Sequence, residues 1–157
     1  MTSISKKIYF ASDQHFGAPT PELSFPREQK FVAWLDEVKK DAEAIFLLGD
    51  LFDFWFEYKT VVPKGFVRVL GKLAEIRDSG IPIYFFVGNH DLWMNDYFEK
   101  ELNIPVFHEN QEYTFHGKTF LVGHGDGKGP GDLGYKRMKK VFTNPFSKWL
   151  FRWLHPD

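Results

Sequence analysis

An α/β fold with a largely parallel sheet is predicted by three observations. Short apolar strand patterns alternate with amphipathic helical patterns through the first hundred residues. Each apolar strand ends on a polar cluster containing Asp, Asn or His. The composition is globular, with 43% hydrophobic and 26% charged residues in 157. That length suits one domain, or one domain and part of another.

The elements follow in order. Lys7–Ser12 reads as a short buried strand. Pro26 to Lys40 reads as a helix, because Phe31, Trp34, Leu35 and Val38 recur at helical spacing. Ala44–Leu48 is a second strand. Phe66–Arg77 is a second helix, with Phe66, Val69, Leu70 and Leu73 on one face. Gly80 ends it, and Ile81–Val87 is a third strand. Asp96–Leu102 is a short helix. Tyr113–Phe115 and Thr119–Val122, joined across His116-Gly117, form a hairpin. Phe142, Phe146, Trp149, Leu150, Trp153 and Leu154 make one apolar stripe, which Pro145 interrupts. Two helices are therefore expected, Leu133–Val141 and Pro145–Leu154.

Composition excludes several classes. The chain has no Cys, which removes disulfides, Cys-type zinc sites and a thiol nucleophile. No apolar run reaches the roughly 18 residues of a membrane span. The first ten residues lack a leader-type apolar stretch, so a soluble, cytosolic chain is expected. The net charge of −1 hides an asymmetry. Residues 133–157 carry six basic residues and one acid, leaving 14 basic and 20 acidic elsewhere, a balance of −6. A basic, aromatic tail on an acidic body predicts an anionic partner for the tail. A basic helix bearing Trp and Phe suits a membrane interface. Packing against further cap residues is an equal alternative for the same stripe.

The chemistry collects at the strand ends, where ligands bind in open α/β sheets. The first strand leads to Asp13-Gln14-His15 and the second to Gly49-Asp50-Leu51-Phe52-Asp53. The third leads to Gly88-Asn89-His90-Asp91, and the hairpin to Gly123-His124-Gly125-Asp126. Singly, each is ordinary turn or cap chemistry. Together they deliver carboxylate, amide oxygen and imidazole to one sheet edge, a donor set for Mn²⁺, Fe or Zn²⁺. Asp13 and His15, two apart, can reach one ion. Asp50 has two oxygens and can bridge two ions. Neutral Asn89 can complete a second site. Two metals about 3.5–4 Å apart can clamp a phosphoryl group and activate water.

These four motifs resemble those of the calcineurin-like metallophosphoesterase superfamily. The stretches Leu47–Glu57, Tyr84–Phe98 and Leu121–Lys140 are similar to the UDP-2,3-diacylglucosamine diphosphatases of lipid A biosynthesis. The resemblance implies a β-sandwich flanked by helices, with residues 1–132 as an incomplete core and 133–157 as the start of a helical cap. It implies two divalent cations, Mn²⁺ by preference, with Asp13, His15 and Asp50 on one and Asp50, Asn89 and His124 on the other. His90, held by Asp91, is implied to steady the phosphoryl transition state. Asn89, His90, Asp132 and Tyr135 match substrate-binding positions. The implied reaction splits a UDP-linked lipid sugar into UMP and 2,3-diacylglucosamine 1-phosphate, at the cytoplasmic face of the inner membrane.

Two departures stand out. His90 occupies a position where the best-known proteobacterial members carry Arg. The superfamily's final Gly-His-x-His motif has no match after His124, where only His155 remains. The chain is therefore expected to be the front part of a longer protein, poorly active alone. Alternatives are another phosphodiesterase or nuclease, or a non-catalytic piece that binds a membrane or partner. The acidic body speaks against nucleic acid as a partner.

Overall fold

The computed structural model describes residues 6–126 and 139–154. Its centre is a four-stranded parallel sheet in chain order: β1 (Lys7–Ala11), β2 (Ala42–Leu48), β3 (Ile83–Phe86) and β4 (Val106–Phe107). Three helices connect them: α1 (Pro21–Val38), α2 (Val67–Asp78) and α3 (Tyr97–Leu102). A separate antiparallel pair, β5 (Gln111–Phe115) and β6 (Lys118–Val122), is the expected hairpin. His116 and Gly117 at its tip have φ of 50° and 76°, the left-handed pair that a two-residue turn requires.

Alternation along the strands builds two layers of core. Ile45, Leu47, Ile83 and Phe85 face the helices and pack with Phe31, Leu35, Val69, Leu73 and Phe98. Their neighbours Ala44, Phe46 and Phe86 face the hairpin and pack with Val122, Tyr113 and Phe115. Phe46 anchors that second layer. It stacks on Tyr84 with centroids 4.8 Å apart and meets Tyr113 edge-on at 4.9 Å. A parallel sheet needs cover on both faces, and here helices supply one and the hairpin the other.

Three expectations shift. The first helix starts at Pro21, five residues before Pro26. Thr20 is its N-cap, accepting from the Leu23 N–H at 3.3 Å, and Pro21 occupies the first turn. Pro26 lies inside the helix, where the carbonyl it leaves without a helical donor belongs to exposed Glu22. Strand β4 was not anticipated: with two residues it is too short to show a period. Of the expected Leu133–Val141 helix, only 139–141 fall among the described residues; these are helical, within a described run of 139–143. The next helix spans Pro145–Phe151 and ends in a turn at 152–154. Its Phe151 ring packs on Phe56 and Trp93, with centroids 4.6 and 4.7 Å away. Phe146, Trp149, Leu150, Trp153 and Leu154 remain exposed. Among the described residues, no helix is long and apolar enough to cross a membrane.

Candidate metal centre

The carboxyl edge of the sheet gathers the loops after β1, β2, β3 and β6. The first two run side by side beyond their strands. Asp13 N–H donates to the Gly49 carbonyl at 3.1 Å, and His15 N–H to the Asp50 carbonyl at 2.9 Å. Asp13, His15 and Asp50 all sit in the left-handed region, with φ of 60°, 45° and 53°. Such residues cost about 1–3 kcal/mol each and persist where the surroundings over-determine them. Here the reversal turns their side chains toward one another.

Glycine lets the second and third loops touch. A Cβ on Gly88 would sit 2.5 Å from the Asp50 amide nitrogen and closer still to its carboxylate. A Cβ on Gly49 would lie 2.7 Å from both the Gly88 backbone and His124 Nδ1. Both glycines are required by contact.

Asp50 is at the centre and is 3% exposed. Its Oδ1 accepts from the His90 backbone N–H at 2.9 Å. Its Oδ2 lies 3.7 Å from His15 Nε2 and 3.6 Å from His124 Nε2. Asp13 Oδ1 is 3.9 Å from His15 Nε2. Asn89 Oδ1 is 3.2 Å from His124 Nε2. The ligating atoms of Asp13, His15 and Asp50 all fall within 4.8 Å of one another, and so do those of His15, Asp53 and His90.

The tautomer of His124 sets the character of this cluster. Its Nδ1 lies 2.7 Å from the Leu48 carbonyl, which can only accept, so Nδ1 carries a proton. In the neutral imidazole, Nε2 is then a lone pair facing Asn89 Oδ1 and Asp50 Oδ2. In that tautomer three acceptor atoms converge, a donor set that could hold a cation. Oxygen and imidazole donors without sulfur fit a divalent first-row metal.

Asp91 and His90 divide differently from expectation. The Asp91 carboxylate is fully buried and accepts from Gly88 N–H at 2.6 Å and Leu51 N–H at 3.1 Å. Burial pushes this carboxyl up to about 6. Asp91 thus fastens the two loops, while the His90 ring is held by Asp53. His90 Nδ1 lies 2.9 Å from the Asp53 carbonyl and 3.4 Å from its Oδ1. The same Oδ1 is 3.5 Å from His15 Nδ1. Asp53 was not among the expected site residues. The Gly-Asp-x-x-Asp spacing was its signal, because a residue three beyond Asp50 returns to the same edge.

His90 opens on a cavity of about 260 Å³ lined by Phe54, Leu92, Trp93, Phe142 and Lys139. A larger cleft of about 970 Å³, between the 57–62 loop and Trp149 and Trp153, holds none of the candidate ligands. Asp132 and Tyr135 lie outside the described residues.

The family model for calcineurin-like phosphoesterases matches residues 6–156. A UDP-2,3-diacylglucosamine hydrolase of Porphyromonas gingivalis is 42% identical over 151 residues, covering 96% of this chain and 58% of that protein. The protein of the same name from Edwardsiella ictaluri is 32% identical, covering 91% of this chain and 53% of that one. The chain thus spans between half and two thirds of these relatives. A solved protein of unknown function from Aquifex aeolicus superposes with a TM-score of 0.54 at 21% identity, over 86% of this chain and 71% of its own, a likeness of fold.

Proposed function

The chain belongs to the calcineurin-like phosphoesterase family, and from that premise we propose that it serves a dinuclear-metal hydrolase. Its substrate is UDP-2,3-diacylglucosamine, split at the pyrophosphate into UMP and 2,3-diacylglucosamine 1-phosphate. The observation that carries the reaction class is the place of Asp50 Oδ2, between His15 and His124 at 3.7 and 3.6 Å. The substrate rests on the 42% identical relative, whose name states it.

Asp13, His15 and Asp50 would hold one ion, and Asp50, Asn89 and His124 the other. Mn²⁺ is our choice of metal. A bound pair of divalent ions supplies Lewis-acid charge and a more acidic water. His90 donates its Nδ1–H to the Asp53 carbonyl, which orients the ring so that in the imidazolium form an Nε2–H would donate to a phosphoryl oxygen. Asn89 has a second role beside that oxygen. The apolar wall of Phe54, Leu92, Trp93 and Phe142 suits the hydrocarbon part of the substrate and excludes water. Asp132 and Tyr135 are read as contacts to the sugar phosphate. Residues 133–157 are read as the start of a cap over the 1–132 core. The basic, aromatic stripe of that cap supports peripheral contact with the inner membrane on its cytoplasmic face.

The test is an assay of UMP release from UDP-2,3-diacylglucosamine, with and without Mn²⁺, in ¹⁸O-water. Mn²⁺-dependent release with label in one product supports the reading. Hydrolysis of a simple phosphodiester with the lipid nucleotide untouched would favour another phosphoesterase.

A further inference from the structure

We propose that Arg27, on α1, is a positioning residue that holds the Asp13-x-His15 turn in its metal-ready shape. The inference rests on the metal reading above and concerns a residue outside the four motifs.

The turn after β1 needs an external restraint. Asp13 and His15 both have positive φ, and Gly17 follows at 104°. A non-glycine residue leaves that region unless its backbone groups are tied down. The N–H groups of Asp13, His15 and Phe16 are tied to the β2 loop. On the carbonyl side, Phe16 accepts from Asp53 N–H at 3.0 Å and His15 from Ala18 N–H at 3.2 Å, and α1 adds a further tie. Arg27 Nη2 donates to the His15 carbonyl and to the Ala18 carbonyl, each at 2.6 Å. Ser24, one turn earlier on α1, accepts from Gly17 N–H at 2.8 Å, and Arg27 Nη2 lies 3.5 Å from the same hydroxyl. The guanidinium therefore closes both ends of the His15–Ala18 turn with charge-assisted bonds.

The consequence is directional. Rotating the His15 peptide would move Nε2 away from Asp50 Oδ2 and Nδ1 away from Asp53. His124 is held by the Leu48 carbonyl of β2 at 2.7 Å and meets Asn89 at 3.2 Å, and neither touches Arg27. Loss of Arg27 thus weakens the ion held by Asp13 and His15 and spares the one held by Asn89 and His124. Partners that orient metal ligands are worth about 10–100-fold in affinity.

The experiment is calorimetric titration of the full chain with Mn²⁺ alone. In Arg27→Ala, one binding step is expected to weaken about tenfold, with the other within about twofold. Circular dichroism of the metal-free variant should match the parent. Arg27→Lys keeps the charge without the planar fork and should weaken the same step less. If the alanine variant does not fold, the lysine variant carries the test alone. Two unchanged steps in a folded variant overturn the proposal, and so does an equal fall in both, which marks a general structural role. A parent chain that takes up no Mn²⁺ overturns the metal reading and this inference with it.

Discussion

The backbone N–H of His90 donates to Asp50 Oδ1 at 2.9 Å, so the third loop aims the carboxylate of the second. With Oδ1 so occupied, Oδ2 is left to His15 and His124. One side chain is thereby common to both halves of the centre. Asp50→Asn keeps the shape but removes the charge and the symmetry of the two oxygens. Both Mn²⁺ binding steps should weaken by at least about tenfold, read by calorimetry. A variant that loses only one step would show that Asp50 does not bridge.

Asp53 should act on chemistry rather than on metal content. Its carboxylate faces His15 Nδ1 and His90 Nδ1 at 3.5 and 3.4 Å. Asp53→Asn removes the negative charge that lies beside both imidazole rings and keeps the shape of the side chain. We expect kcat to fall about a hundredfold, the scale of a positioned acid–base group, with Mn²⁺ stoichiometry retained. Steady-state kinetics beside metal analysis tests this.

Gly88→Ala should destabilise the fold, because its Cβ would meet the Asp50 amide nitrogen at 2.5 Å. Backbone and a buried carboxylate cannot yield as a flexible side chain would. The expected cost is about 1–3 kcal/mol by denaturant melt, with weakened metal uptake. An alanine variant as stable as the parent would mean that the two loops are more loosely apposed.

Acid should loosen α1 from α2. Lys39 and Lys72 each bridge Asp36 and Glu75 across the two helices, with Lys39 at 2.7 and 2.6 Å. Hydrogen bonds from Lys39, then Lys72, hold both carboxyls below their ordinary 3.8 and 4.5. A lowered carboxyl favours the folded state once ionised. Its stabilisation is full above those ordinary values and is lost as the pH falls through the lowered ones. The melting temperature should therefore drop on acidification below about pH 4, and less steeply in Asp36→Asn/Glu75→Gln. Added salt should shrink the difference, since the groups are solvated.

The exposed aromatic stripe should bind anionic lipid. Trp149, on the helix whose Phe151 faces the protein, is 51% exposed, and Trp153, in the turn after it, is 74% exposed. Trp149→Asp/Trp153→Asp should lower affinity for phosphatidylglycerol vesicles at least about tenfold and leave the main unfolding transition in place. Equal binding by parent and variant would return the stripe to protein packing.

Much of this was legible in the sequence because its signals are periodic or local. The strands β1, β2 and β3 are apolar runs, and α1 and α2 carry their buried faces at helical spacing. The residues following each strand identify the sheet edge, since a parallel sheet delivers every strand's carboxyl end to the same side. Pro26 misplaced the start of α1 because a proline's place in a helix depends on which carbonyl it orphans, which spacing does not show.

The sequence by itself determined the donor chemistry: carboxylates, an amide and imidazoles, no thiolate, one set per strand end. Tertiary structure alone decided how those donors face one another. The left-handed backbone at Asp13, His15 and Asp50, the glycine contacts at Gly49 and Gly88, and the Arg27 clasp on His15 all join segments distant in the chain. It also moved the support of His90 from adjacent Asp91 to Asp53. A buried carboxyl spends its hydrogen bonds on the nearest backbone donors, and in this fold those are Gly88 and Leu51.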